Sequence, residues 1–139
     1  MTDPMHSEMT WLAATCVMTA SMWAPYVANR FKELGPPGWQ WFPPADPPPV
    51  AAWAARAMRA HMNALENLAV FAPLVLAVHT AGASSAVTAA ACQVYFGARA
   101  VHYAVCVAGM PIVPRTVAFL FGVAAQLTLG WALLGTRSF

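Results

Sequence analysis

Residues 67–98 run for 32 positions without an Asp, Glu, Lys or Arg. A membrane crossing needs roughly 20 apolar residues, so this stretch is too long for one span and short for two. A small-residue turn at 81–85, AGASS, divides it. Each flanking piece is then about 14 residues, or ~21 Å as a helix, against a hydrocarbon core of ~30 Å. Two helices built from it must recruit residues beyond both ends, which draws Glu66 and Arg99 into the apolar layer. Both lie equally far from the turn, so they should sit at similar depth and form an ion pair. A charge inside the membrane is costly unless paired or solvated, and it generally marks function.

The rest of the chain fits this reading. Hydrophobic residues make up 60% of the 139 and charged residues only 9%, against about a quarter charged in soluble domains. Two further charge-free runs, 9–29 and 116–136, are each 21 residues long. The expected fold is an all-α integral membrane protein with four transmembrane helices, at about 9–30, 51–80, 85–108 and 114–136, in a single domain. Between the first two lies a loop, 31–50. Its segment 36–49 holds seven prolines in fourteen residues, which excludes a continuous helix and reads first as a polyproline spacer. The residues ahead of the first run, MTDPMHSE, are acidic rather than basic, so that run is expected to be a retained helix and not a secretory signal.

Charge and cysteine usage exclude several function classes. A net charge of +2 is too small to suggest nucleic acid as a partner. Cys16, Cys92 and Cys106 all fall in apolar segments without CxxC spacing, so neither a disulfide framework nor a metal site is indicated. Cys106 reads as a small hydrophobe on an apolar helix rather than a nucleophile. Neither a Walker motif nor a GxGxxG occurs. Trp11, Trp23, Trp53 and Trp131 stand near expected helix ends, as an interfacial aromatic belt requires. Arg30, Lys32, Arg56, Arg59 and Arg115 gather at the first and third loops. The other side holds Arg137 with Asp3 and Glu8. By the positive-inside rule both termini should face away from the cytoplasm.

On the second helix, Arg56, Arg59, Asn63 and Glu66 follow steps of three, four and three, which places them on one face. Arg56 is expected to snorkel to lipid phosphates. His61 points elsewhere and is expected to satisfy polar groups between helices. On the third helix Arg99, His102 and Cys106 are spaced three and four, with Tyr103 alongside. The antiparallel geometry puts His102 near the depth of Asn63, and Arg115 and Thr116 open the fourth helix at the same end. A basic, hydrogen-bonding pocket in an apolar bundle suits a small cytosolic anion meeting an apolar molecule from the bilayer.

The stretch RAMRAHMNALENL resembles the signature of the MAPEG family, membrane-associated proteins of eicosanoid and glutathione metabolism. The pattern R-x-x-R-A-H-x-N-x-x-E is carried by Arg56, Arg59, Ala60, His61, Asn63 and Glu66. Arg99 with His102, and the step Pro114, Arg115, Thr116, are further matches, and the short bacterial members are the most similar. The resemblance implies a homotrimer, expected in a bacterial inner membrane, with glutathione as cosubstrate between subunits. Its second substrate would be a hydrophobic electrophile or lipid hydroperoxide from the membrane. By the same resemblance Arg59, Asn63, Glu66, Arg99, His102 and Arg30 bind the tripeptide, while Arg115 and Thr116 stabilise its thiolate. Cys106 and Phe119 stand where many members carry tyrosines, and Met62 where a basic residue is frequent. Those departures favour, as the alternative, a non-catalytic membrane subunit of the same architecture.

Overall fold

The computed structural model describes residues 3–42 and 47–135. It is an all-helical bundle: α1 (Pro4–Ser21), α2 (Ala24–Leu34), α3 (Ala52–Thr80), α4 (Ala86–Val107) and α5 (Ile112–Gly135), with a short 3₁₀ turn at Trp39–Trp41. By length and composition, α3 and α5 are each apolar enough to cross a membrane. The last position of the expected fourth helix, the charge of Arg137 and loop positions 43–46 lie outside the described residues.

The expected single first helix is instead two. Pro25 has no N–H to give to Ser21, so the helix ladder fails there, and α2 starts with this proline in its first turn. The Met22 carbonyl, released from the ladder, accepts the Tyr103 hydroxyl of α4 at 3.0 Å. Tyr26, just past the break, meets His61 Nδ1 of α3 at 2.9 Å. His61 thus joins helices, as its position off the arginine face suggested. The helix also begins earlier than its apolar run, with the Asp3 carboxylate accepting the Met5 N–H at its N-cap.

The turn at 81–85 forms as the sequence indicates. Gly82 adopts φ +67°, and Ser85 with Thr88 closes a capping box that starts α4. Around this turn lies the apolar core: Phe71, Val75 and Val78 of α3, Ala91, Cys92 and Tyr95 of α4, Ala125 and Leu129 of α5. Phe71 and Tyr95 stack with ring centroids 3.7 Å apart. Toward the opposite end α3 buries the small side chains of Ala54, Ala57, Ala60 and Ala64, together with His61. Small residues let helix backbones approach closely where lipid supplies little hydrophobic drive. Large apolar groups such as Leu127, Val17 and Trp131 stay exposed on the outer surface, at 68%, 70% and 79%.

Glu8 is the unforeseen element. It sits inside α1, fully buried, where its carboxylate accepts hydrogen bonds from the hydroxyls of Ser84, at 2.6 Å, and Thr88. A carboxylate removed from water must find donors. Hydroxyls of the α3–α4 turn and the head of α4 provide them, fastening α1 to that end of the bundle.

Candidate functional site

At the other end, α3, α4 and α5 enclose a cavity of about 240 Å³ lined by Arg56, Arg59, Ala60, Asn63, His102, Cys106 and Arg115. The spacing on α3 turns Arg56, Arg59 and Asn63 to one side. One helical turn on α4 aligns His102 with Cys106, and Arg115 enters from the first turn of α5. Three guanidinium groups and no acidic side chain line the space. The Arg115 Nε is buried without a hydrogen-bond partner among the described residues.

Each cation is held differently. Arg56 donates from Nε and Nη2 to the Val107 carbonyl, at 3.2 and 3.0 Å. It therefore caps the C-terminus of α4, satisfying a carbonyl the helix leaves orphaned. The neighbouring turn accommodates it through Gly109. There φ is +75°, and an added Cβ would lie 3.0 Å from the guanidinium carbon. Arg59 is exposed toward the mouth of the cavity.

Arg99 stands behind the cavity wall, only 2% exposed. It donates to Asn63 Oδ1 at 3.5 Å and to the Phe119 carbonyl at 3.2 Å. Its guanidinium carbon lies 5.6 Å from the Tyr95 ring centroid and 5.3 Å from that of Phe119. Gly122 makes the space, since a Cβ there would come within 2.5 Å of Arg99 Nη2. A glycine inside an apolar helix was the available sequence signal for this close approach.

The expected Glu66–Arg99 ion pair does not form within the single chain. Glu66 is exposed on α3 and stays outside the cavity wall, while Arg99 turns inward to Asn63. Equal depth constrained height along the bundle but not the direction around each helix. Thr116 is also exposed, and its hydroxyl donates to the Ile112 carbonyl of its own helix at 3.0 Å rather than into the cavity. Arg30 lies on α2, where it contacts Glu33 Oε2 at 3.7 Å and donates to the Pro47 carbonyl at 2.7 Å.

Arg30 and Glu33 together anchor the proline-rich loop. Glu33 accepts the N–H groups of Ala51, at 2.9 Å, and Val50, at 3.2 Å, and an amide hydrogen bond from Asn29. The Ala51 N–H above all, with Val50, Asn29 and Arg30 adding to it, holds the Glu33 carboxyl below its ordinary range. Tyr103 is likewise committed elsewhere, to Met22.

Sequence reasoning treated Cys106 as packing. Its Sγ instead opens on the cavity, 3.7 Å from Nε2 and 4.0 Å from Nδ1 of His102. The i, i+4 spacing after His102 was the signal available.

This geometry defines a helical bundle with two helices of membrane-crossing length and a cationic cavity at one end. The MAPEG family model matches residues 9–135, nearly the whole chain, and the protein belongs to that family. Compared with curated proteins and with solved structures, the chain matches none.

Proposed function

We propose that this chain is a membrane-bound, glutathione-dependent transferase or peroxidase acting on hydrophobic electrophiles or lipid hydroperoxides. The observation that carries the reading is the cavity itself, with three arginines, an asparagine and a histidine around a space that holds no carboxylate. Glutathione brings two carboxylates and a thiol. Arg59, Asn63 and His102 are suited to its charged ends, with Arg99 holding the Asn63 side chain in place. Arg115 is the cation for the sulfur. A free thiol ionises at a pKa of about 8.5, and a nearby cation raises the thiolate fraction at neutral pH. The thiolate then attacks an electrophilic carbon and expels its leaving group. With a hydroperoxide it attacks the terminal oxygen, the O–O bond breaks and the alkoxide leaves as the alcohol, and a second glutathione displaces water from the resulting sulfenic acid to give the disulfide.

The acceptor has an apolar approach. A groove of about 420 Å³ between α4 and α5 is lined by residues including Val101, Val105, Pro114, Val117 and Phe121. Val105 and Pro114 are the chain neighbours of Cys106 and Arg115, so groove and cavity share the same two helix ends. The chain acts as a homotrimer in this reading, and Glu66, exposed in the single chain, is accessible to a neighbouring copy.

One observation favours a second reading, a non-catalytic subunit of the same build. The Thr116 hydroxyl is engaged with its own helix, and Cys106 and Phe119 offer no phenol near the site. Kinetics separate the two. Wild type in detergent should show thiolate absorbance on adding glutathione, and turnover with a chloronitrobenzene or a lipid hydroperoxide. Arg115→Leu should lower turnover with affinity largely kept, whereas Asn63→Ala should mainly weaken binding. An intact wild type with neither thiolate signal nor turnover would establish the non-catalytic subunit.

A further inference from the structure

Cys106 differs from the other two cysteines in what surrounds it. Cys92 is fully buried in the apolar core, and Cys16 is half-buried on α1. Cys106 faces a cavity shared with Arg59, Asn63 and Arg115, and its sulfur lies 3.7 Å from a His102 ring nitrogen. That sulfur is nearly equidistant from both ring nitrogens, at 3.7 and 4.0 Å, so it lies off either lone-pair axis, and the neighbouring guanidinium charge is what favours the thiolate, the nucleophilic form. Reactive cysteines occupy electropositive, partly exposed surroundings of this kind, whereas buried structural ones are inert. The surrounding guanidinium groups also select the charge of whatever approaches the sulfur.

We propose that Cys106 is a redox thiol that exchanges with small anionic disulfides, glutathione disulfide above all, and is held as a mixed disulfide inside the cavity. This deepens, and rests on, the reading of the cavity as a glutathione site. In the step, the Cys106 thiol gives its proton to solvent and Sγ attacks one sulfur of the disulfide. The disulfide S–S bond breaks as the Cys106–glutathione S–S bond forms. The second glutathione leaves as a thiolate and recovers the proton. The protein thiol is oxidised and half of the disulfide is reduced by the same electron pair, so no other oxidant is needed. Reduced glutathione drives the reverse exchange. Once formed, the mixed disulfide occupies the cavity and blocks binding of free glutathione, so the site responds to the ratio of the two forms.

The test uses the full chain in detergent, first reduced and freed of reductant. It is incubated with glutathione disulfide or with the uncharged bis(2-hydroxyethyl) disulfide, and followed by intact mass and peptide mapping. Each rate is divided by that of a free cysteine peptide. One glutathionyl group per chain should appear, on Cys106, and dithiothreitol should release it. The anionic disulfide should be favoured at least about tenfold, the scale of electrostatic concentration in a charged cleft. Arg59→Gln and Arg115→Gln should each erode that preference, and Cys106→Ser should remain unlabelled. No label on Cys106, equal labelling of Cys16, or no charge preference would each overturn the inference. Reduced wild type titrated with reduced glutathione separates the two levels. Binding without exchange removes the redox role and leaves the glutathione site standing; no binding removes the site reading itself, and this inference with it.

Discussion

The two ends of the bundle treat buried charge in opposite ways. Near the α3–α4 turn, Glu8 is fully buried and meets two hydroxyl donors, above a core in which Phe71 and Tyr95 stack. Near the α4–α5 turn, Arg56, Arg59 and Arg115 ring an open cavity, and Arg99 behind them has only an amide oxygen, a carbonyl and two ring faces. In the first the charge meets its donors within the chain, although His79 Nδ1 and Tyr95 Oη nearby are buried without a hydrogen-bond partner among the described residues. The second carries excess positive charge, and among the described residues the Nε atoms of Arg115 and Arg99 have no hydrogen-bond partner. Buried charge left uncompensated is costly, so the protein bears that cost where an anion can relieve it. One end holds the fold, and the other is the end where the proposed function places a ligand.

Breaking the apolar end should cost stability and spare binding. Phe71→Ala removes a fully buried ring from the Tyr95 stack and should destabilise by about 3–5 kcal/mol, read from unfolding in detergent. Glu8→Ala leaves the Ser84 hydroxyl without its acceptor and the Thr88 hydroxyl with only the Ser85 carbonyl, and should cost about 1–3 kcal/mol. In both variants the glutathione affinity of the surviving folded protein should stay near wild type. If either abolished binding while the fold survived, the separation of the two ends would fail.

Gly122 sharpens the contrast, because it serves the cavity end from the interior of α5. Gly122→Ala drives a methyl group into the Arg99 guanidinium and should cost about 1–2 kcal/mol by overpacking. Displacing Arg99 also frees Asn63, so glutathione should bind several-fold more weakly, and calorimetry checks both effects on one sample.

Acid probes the smallest effect, at the loop. Glu33 is held below the ordinary carboxylate range, first by the Ala51 N–H, so its contribution is fully present above the unfolded-state pKa. It is lost as pH falls through the lower, folded value. Amide exchange at Val50 and Ala51 should therefore accelerate in that acid window. Glu33→Gln should show faster exchange already at neutral pH, with the core unchanged.

Much of this bundle was legible because the membrane leaves few options. Charge-free runs fixed α3 and α5 to within a few residues, and AGASS fixed the turn between α3 and α4. Helical spacing put Arg59 and Asn63 on one face, antiparallel geometry brought His102 to the depth of Asn63, and the start of the fourth helix put Arg115 at the same end. Other features lay beyond pattern. Pro25 falls within an apolar run that reads as continuous, and only the ladder defect shows that it divides α1 from α2. Glu8 seemed a flanking charge because apolar-run counting starts after it, and the hydroxyls that satisfy it lie 76 and 80 residues away. Glu66 and Arg99 share a depth but differ in azimuth, which a count of residues from a turn does not resolve. Cys106 resembled any small core residue until the cavity showed what it faces.

The central claim is that the cationic end exists to receive an anionic thiol peptide. Calorimetric titration of the reduced, detergent-solubilised protein with glutathione, and in parallel with its diethyl ester, tests this most directly. The ester keeps the thiol and the peptide but loses both carboxylate charges. Glutathione should bind with saturable heat, weaken as salt is raised, and exceed the ester by at least about tenfold, the equivalent of 1.4 kcal/mol. Equal affinity for the two, or no binding of glutathione to an intact protein, would contradict the account.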